Sequence, residues 1–253
     1  MFKEKETLLQ NMAFMGIMAA LNILLTVLGT FVPLAGIFVM IFLPFFSAIV
    51  AMLCKWKYYP IYAFATILVA LCTTFWYTAE FTIFYLAPSL ITGFLFGLCF
   101  KLKLNATYSL LFTSIAQLGL TYLSLPIIKA IYGTDLIATF LTFFQLSNNP
   151  NAPIIVPSFI YLLSLVQMLL SYIVLYNEIK KFTDEKTSKN GLIIKITGLV
   201  LAILVIAFMF SYLNISYLFM FISLFLTISV FIDIIFTKNK IEIIISSICL
   251  SLG

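Results

Sequence analysis

The chain has 253 residues, of which 64% are apolar and only 9% are charged, with a net charge of +5 and no histidine. Soluble domains carry about 25% charged residues, so this chain has too few polar side chains to cover a water-facing surface of ordinary size. Soluble enzymes, nucleic-acid-binding proteins and disordered proteins are therefore excluded. The composition predicts an integral membrane protein, whose length is best counted in bilayer crossings of about 20 residues.

Eight apolar runs are long enough to cross a bilayer, and each is predicted to be a helix because lipid offers no partner to an open strand. All 14 basic residues are lysines. With the N-terminus in the cytoplasm, every lysine except Lys129 falls on the inner side, as the positive-inside rule requires. The fold class predicted is an all-α polytopic membrane helix bundle of eight transmembrane helices with a cytoplasmic N-terminus. The predicted spans are 11–32, 36–54, 59–78, 82–100, 106–128, 154–176, 192–211 and 213–236.

The polar loop 178–191 is the main internal boundary that we predict. It separates a six-helix core, residues 1–177, from a C-terminal helix pair, residues 192–236. Residues 237–253 form an apolar tail too short to cross a bilayer, either lying on the inner face or beginning a ninth span. Residues 136–146 suit an interfacial or re-entrant helix on the outer side. The absence of arginine and the wealth of Ile, Phe, Tyr and Asn indicate an AT-rich genome and a bacterial plasma membrane.

Small residues in two spans predict close helix packing. Ala13, Gly16 and Ala20 lie at helical spacing in span one and form one smooth stripe, while Gly93 and Gly97 form a G-x-x-x-G motif in span four. Such residues pack helices within a protein or form a docking face for another subunit, and both interpretations stay open for these two motifs.

Three uncharged polar residues lie deep in the predicted spans: Asn22, Gln117 and Gln167. One interpretation is hydrogen bonding between helices, and the other is a polar lining for a ligand cavity. No charged residue lies near the middle of a span, so the sequence shows no buried proton relay of the kind found in ion-driven pumps.

Aromatic residues are dense at the outer junction of spans three and four. Trp76, Tyr77 and Tyr85 surround Glu80 there, and Lys129 and Asp135 lie on the same side of the predicted bilayer. An aromatic belt at the membrane interface explains the rings. A small-ligand pocket explains the rings and the charges together.

Catalytic motifs are missing from the sequence. Without histidine there is no H-E-x-x-H zinc site and no histidine base, and no Walker A motif is present. The acidic residues form no spaced pair within a span. We therefore predict neither an enzyme nor a bound metal or cofactor.

Three segments of the first six spans resemble the substrate-binding (S) components of bacterial energy-coupling-factor vitamin transporters. They are AFMGIMAA at 13–20, IFLPFF at 41–46 and PSLITGFLFG at 88–97. The layout is also similar to that of YybS-type bacterial membrane proteins, which carry extra C-terminal helices. The resemblance covers about residues 8–177, and the family's A-x-x-x-A pattern is present only as Gly16-x-x-x-Ala20.

The resemblance implies a protein that captures a vitamin-like nutrient at the outer face. It also implies that partner subunits power uptake: a transmembrane coupling subunit and ATPase subunits, with Ala13, Gly16 and Ala20 as the docking face. The candidate ligand-binding residues are Trp76, Tyr77, Glu80, Tyr85, Gln117, Lys129 and Gln167. The alternative is a non-transporting membrane scaffold of the bacterial cell envelope. A cavity opening outward between spans one, four, five and six favours the first function, and a solidly packed bundle favours the second.

Overall fold

A computed structural model describes residues 5–74, 81–102, 104, 106–133, 135–145, 152–180 and 244. These residues are helical apart from short connections and contain no strand. The seven α-helices of this part are α1 (Leu8–Phe31), α2 (Pro33–Leu53), α3 (Tyr59–Thr74), α4 (Ala87–Lys101), α5 (Ala106–Tyr132), α6 (Leu136–Phe143) and α7 (Ala152–Lys180). A 3₁₀ turn, Trp56–Tyr58, precedes α3, and a π-helical turn, Thr82–Leu86, leads into α4.

Helix α1 is polar on its buried side and apolar on its exposed side. Asn11, Asn22 and Thr26 have no exposed surface, whereas Leu9 is 78% exposed and Leu24 is 61% exposed. Buried serine or threonine also occurs on α2, α3, α4, α5 and α7, beside buried apolar residues, while Phe, Leu, Ile or Val side chains of these helices point outward. Water does not favour such a surface but lipid does, because the hydrocarbon core offers no partners to polar groups.

Helices α2 and α4 form the central pair of the bundle. One buried apolar cluster joins them to α1 and α3, and includes Met15, Leu43, Tyr62 and Leu90. A second cluster joins them to α5 and α7 on the other side. Its buried members are Ala48, Phe96, Phe100, Leu110, Leu165, Met168, Tyr172, Leu175 and Tyr176.

The two glycines of the G-x-x-x-G motif make this central contact possible. A Cβ atom at Gly97 would lie 2.5 Å from Ala51 Cβ and 2.8 Å from the Ala48 carbonyl oxygen, and one at Gly93 would overlap Ser47 Cβ. The helix backbones therefore approach more closely than any side chain permits. For span four, the structure supports packing within the protein over a docking face.

Asn22 joins three helices. Its Nδ2 atom donates to the Tyr62 hydroxyl on α3 at 2.8 Å and to Ser47 Oγ on α2 at 3.3 Å. These bonds match the helix-to-helix interpretation of Asn22. Its Oδ1 atom is buried without a hydrogen-bond partner.

Pro44 lies inside α2, as the sequence predicts. A proline has no backbone N–H, so the Met40 carbonyl, four residues earlier, loses its intrahelical donor. Gln167 Nε2 on α7 donates to that carbonyl at 3.1 Å, and Ser171 Oγ donates to the neighbouring Ile41 carbonyl at 2.8 Å. The proline therefore creates the acceptor that ties α7 to α2.

The bundle has two chemically different ends. At the end where α1 begins and α2 finishes, Asn11 donates to the Lys5 carbonyl at 2.9 Å and accepts from the Lys55 N–H at 2.9 Å. The Lys101 ammonium lies 5.3 Å from the Trp56 ring centre at this same end. Lys129 lies near the end of α5, at the opposite end of the bundle. We call these the lysine end and the far end.

Six of the eight predicted spans fall on described helices, with ends shifted by a few residues. By length and composition, three of these helices are suited to crossing a membrane: Leu8–Phe31, Thr82–Lys101 and Tyr108–Tyr132. Shorter apolar stretches are Phe38–Leu53 and Leu163–Tyr176. The predicted helix pair 192–236 lies outside the described residues, as does the tail 237–253 apart from Ile244. In the predicted outer segment 136–146, α6 is a short helix whose N-terminus is capped by Asp135, with Oδ1 accepting from the Ala138 N–H at 3.0 Å.

Candidate functional site

A cavity of about 520 Å³ lies at the far end of the bundle. Its walls come from the end of α1, the start of α2, the π-helical turn, the end of α5, and α6 and α7. Its volume is within the range of small-molecule sites, and its lining is apolar and aromatic as such sites usually are. The rings in the wall are Phe81, Phe84, Tyr85, Phe140 and Phe159.

Gly29 makes room for the Phe81 ring in this wall, because a Cβ atom there would overlap the tip of the ring. A Cβ atom at Gly36 would lie 3.6 Å from the ring's Cε2 atom, which is an ordinary contact. Phe81 also packs against Tyr85, with the ring centres 4.6 Å apart.

The π-helical turn brings Phe84 and Tyr85 into the cavity wall. The turn is π-helical because the Ala87 N–H donates to the Thr82 carbonyl, five residues earlier. Pro88 comes next and has no N–H for the Ile83 carbonyl. The Ser124 hydroxyl on α5 compensates in part, since its single hydrogen is shared between the Leu120 carbonyl at 2.8 Å and the Ile83 carbonyl at 3.2 Å. Pro88 is the second residue of α4 and directly follows the widened turn.

A second cavity of about 280 Å³ adjoins the first and shares Met40, Phe84 and Tyr85 with it. We call it the deep cavity. Gln117 and Gln167 line it from α5 and α7. Gln117 Nε2 donates to Gln167 Oε1 at 3.4 Å, while Gln117 Oε1 is buried without a hydrogen-bond partner. This unpaired acceptor is the chemically most distinctive atom of the site, because buried polar atoms are almost always paired.

Lys129 and Asp135 form an ion pair with each other, with Lys129 Nζ and Asp135 Oδ2 2.7 Å apart. The hydrogen bond from Lys129 lowers the pKa of Asp135 below its ordinary value. The pair lines a separate recess of about 260 Å³, which shares Leu125, Leu136 and Ile137 with the larger cavity. Of the described residues that line the larger and deep cavities, none is Asp, Glu or Lys.

The predicted ligand-binding residues therefore divide into three groups. Tyr85, Gln117 and Gln167 come together around the two cavities. Lys129 lies beside them in its own recess, paired to Asp135. Trp76, Tyr77 and Glu80 lie outside the described residues.

Sequence reasoning missed several wall residues. Phe140 and Phe159 pack with their ring centres 4.8 Å apart where α6 meets α7. The capping Asp135 before an apolar run was the available signal for the short helix that carries Phe140. Nothing in the sequence pairs it with Phe159, because the two helices meet only in the tertiary fold.

The predicted docking stripe on α1 faces outward. Ala13, Gly16 and Ala20 are exposed, and no atom of the described residues lies within 4 Å of a Cβ atom at Gly16. Gly16 thus differs from Gly93 and Gly97, which the fold buries against α2.

The chain was compared with known proteins, and no family model, curated protein or solved structure matches it. No described group of three or more Cys, Asp or Glu residues could hold a metal ion.

Proposed function

We propose that this protein is the ligand-capturing component of a membrane transport system for a small nutrient. The cavity of about 520 Å³ carries this proposal, because α1, α2, the π-helical turn, α5, α6 and α7 enclose it together at one end of the bundle. A solidly packed scaffold would not need such a space. The resemblance to S components supports the same function, since those proteins bind a vitamin-like nutrient at the outer side.

In this proposal the far end of the bundle faces outward and the lysine end faces the cytoplasm of a bacterial cell. Ligand stacks on the aromatic wall, with α6 at the cavity's rim. Energy for uptake comes from a transmembrane coupling subunit and its ATPases. The exposed stripe on α1, composed of Ala13, Gly16 and Ala20, is the proposed contact with that coupling subunit, because small residues let helices approach closely.

The proposed topology is eight spans with both termini cytoplasmic. Single cysteines introduced by Ser188→Cys and Asn149→Cys, in a variant lacking the four native cysteines, test it. Both positions lie outside the described residues. We expect an impermeant thiol reagent to label intact cells at position 149 and to leave position 188 unlabelled until the membrane is opened. Labelling of position 188 from outside would refute this orientation.

Ligand capture is tested by a thermal-shift screen of vitamins and nucleobases on the purified protein, followed by matched ring truncations on α6. Phe140 lines the larger cavity, whereas Phe143 on the same helix is 80% exposed and does not line it. Removal of a central stacking ring costs about 1–3 kcal/mol of binding, so Phe140→Ala should weaken binding of a hit by roughly ten- to a hundredfold.

Phe143→Ala is the control, and it should leave the affinity unchanged. Equal losses for the two variants would show that α6 seats the protein in the membrane rather than binding ligand. If no compound stabilises the wild-type protein and no ATPase subunit co-purifies with it, the scaffold function is favoured instead.

A further inference from the structure

One residue in the wall of the deep cavity, Gln117, carries a buried acceptor that has no hydrogen-bond partner and almost no accessible surface. Gln117 is 2% exposed, and its Oε1 atom has no hydrogen-bond partner. A buried acceptor left unpaired lowers the free energy of unfolding. This atom therefore destabilises the fold unless a ligand donates a hydrogen bond to it.

The orientation of the amide follows from the neighbouring proline. Pro44 frees the Met40 carbonyl, which is an acceptor only, so the end of Gln167 that faces it has to be the NH₂ group. The Oε1 atom of Gln167 then faces Gln117, so the Gln117 NH₂ group has to be the donor of the bond between the two amides. Turning the Gln117 amide over would keep the Met40 bond but would place two carbonyl oxygens against each other, so the remaining atom of Gln117 is its carbonyl oxygen.

The other polar side chains of the cavity wall are the Tyr85 and Thr121 hydroxyls, which can donate or accept, and those of Ser164 and Gln167. The Ser164 hydroxyl gives its hydrogen to the Ile160 carbonyl at 2.9 Å, which leaves its oxygen lone pairs as the part available to a ligand. The described walls of both cavities contain no Asp, Glu or Lys, and the nearby Lys129 and Asp135 neutralise each other.

We infer that the deep cavity binds the N–H or O–H edge of an uncharged, flat ring compound, with Gln117 Oε1 as its acceptor once the amide turns toward the ligand. The ring occupies the aromatic part of the site beside Phe84 and Tyr85, and the donor points inward between α5 and α7. This inference rests on the proposed capture function and specifies its ligand class: a neutral heterocycle or hydroxyl-bearing ring rather than an anion.

Two matched pairs of probes test this inference: indole with 1-methylindole, and quinolin-2(1H)-one with its N-methyl derivative. Within each pair the methyl group removes the N–H donor and leaves a flat, neutral ring. The wild-type protein should bind the N–H member roughly three- to tenfold more tightly, which corresponds to one net hydrogen bond. Binding is measured by thermal shift and by isothermal titration in detergent.

Two variants identify the acceptor. Gln117→Leu should abolish the preference within each pair, because it removes the Oε1 acceptor together with the bond to Gln167. Thr113→Val is the matched control on the same helix, one turn earlier. Thr113 is buried and donates to the Ser109 carbonyl, but it does not line the cavity. This control should preserve the preference.

Equal binding of the two members of each pair by the wild-type protein would overturn the inference and leave ligand capture intact. Persistence of the preference in Gln117→Leu would also overturn it. If none of the four probes binds, the ligand class is wrong. Proposed capture would then still stand if a charged nutrient stabilises the protein in the broader screen, and would fall with the inference if none does.

Discussion

Gly97→Leu is expected to destabilise the bundle strongly, because the new side chain has no space between α4 and α2. The atoms that it would meet are the Cβ of Ala51 and the backbone of Ala48 and Met52, which cannot turn aside as the end of a long side chain can. Overpacking costs about 1–3 kcal/mol and occasionally more. Contact with backbone puts this substitution at the upper end, at about 3 kcal/mol. Loss of the monodisperse species in detergent, or a strongly lowered unfolding midpoint, is the measurement.

Gly16→Leu and Gly119→Leu are the matched controls for Gly97→Leu. All three glycines are helical, but a Cβ atom at Gly16 or Gly119 meets nothing within 4 Å among the described residues. Both controls should fold. If the α1 stripe docks on the coupling subunit, Gly16→Leu should release that partner during purification and Gly119→Leu should retain it. A destabilised Gly16→Leu protein that keeps its partner would show that the stripe packs within the chain.

Gln167→Leu is expected to lower the free energy of unfolding by about 1–3 kcal/mol, because it leaves the part-buried Met40 carbonyl and the Gln117 amide N–H without their partner. The loss depends on Pro44, because an ordinary residue at that position would supply a backbone N–H. Pro44→Ala in the same chain should therefore recover much of the stability that Gln167→Leu removes.

A double-mutant cycle measures this coupling from the unfolding midpoints of the wild type, the two single variants and the double variant. We expect a favourable coupling for the double variant. Strict additivity would mean that the Met40 carbonyl has another partner and that Gln167 does not depend on the proline. Ser164→Ala provides a comparison on the same helix, since its hydroxyl donates only within α7.

The helices could be predicted from the sequence because the apolar runs and the polar or helix-breaking residues between them are local features. Pro44 was recognised as internal to α2, and Asn22 as a candidate for bonding between helices. The partners were not predictable, since Asn22 meets Tyr62, and Gln167 meets Met40, across long separations in the chain. Gly16 and Gly93 look alike in sequence, and only the fold shows that one faces outward and the other meets α2.

The candidate site was predictable in part for the same reason. Polar residues deep in apolar spans are few, so Gln117 and Gln167 could be selected by composition alone. The pairing of the charged residues was not predicted, because a lysine and an aspartate on one side of a membrane suggest separate ligand contacts when no geometry is known. Asp135 follows Lys129 by six residues, and the turn between α5 and α6 brings the two side chains into contact.

The backbone contact between α2 and α4 also determines which parts of the bundle can move. At Gly93 and Gly97 the backbone of α4 lies against α2 with no side chain between them. If one helix slid along the other, larger side chains would move into these two contacts and collide with the opposite backbone. The pair of α2 and α4 is therefore the rigid part of the bundle. A change of cavity volume when ligand enters has to come from the outer walls, and α6, with eight residues and no buried side chain, is the wall that moves at least cost.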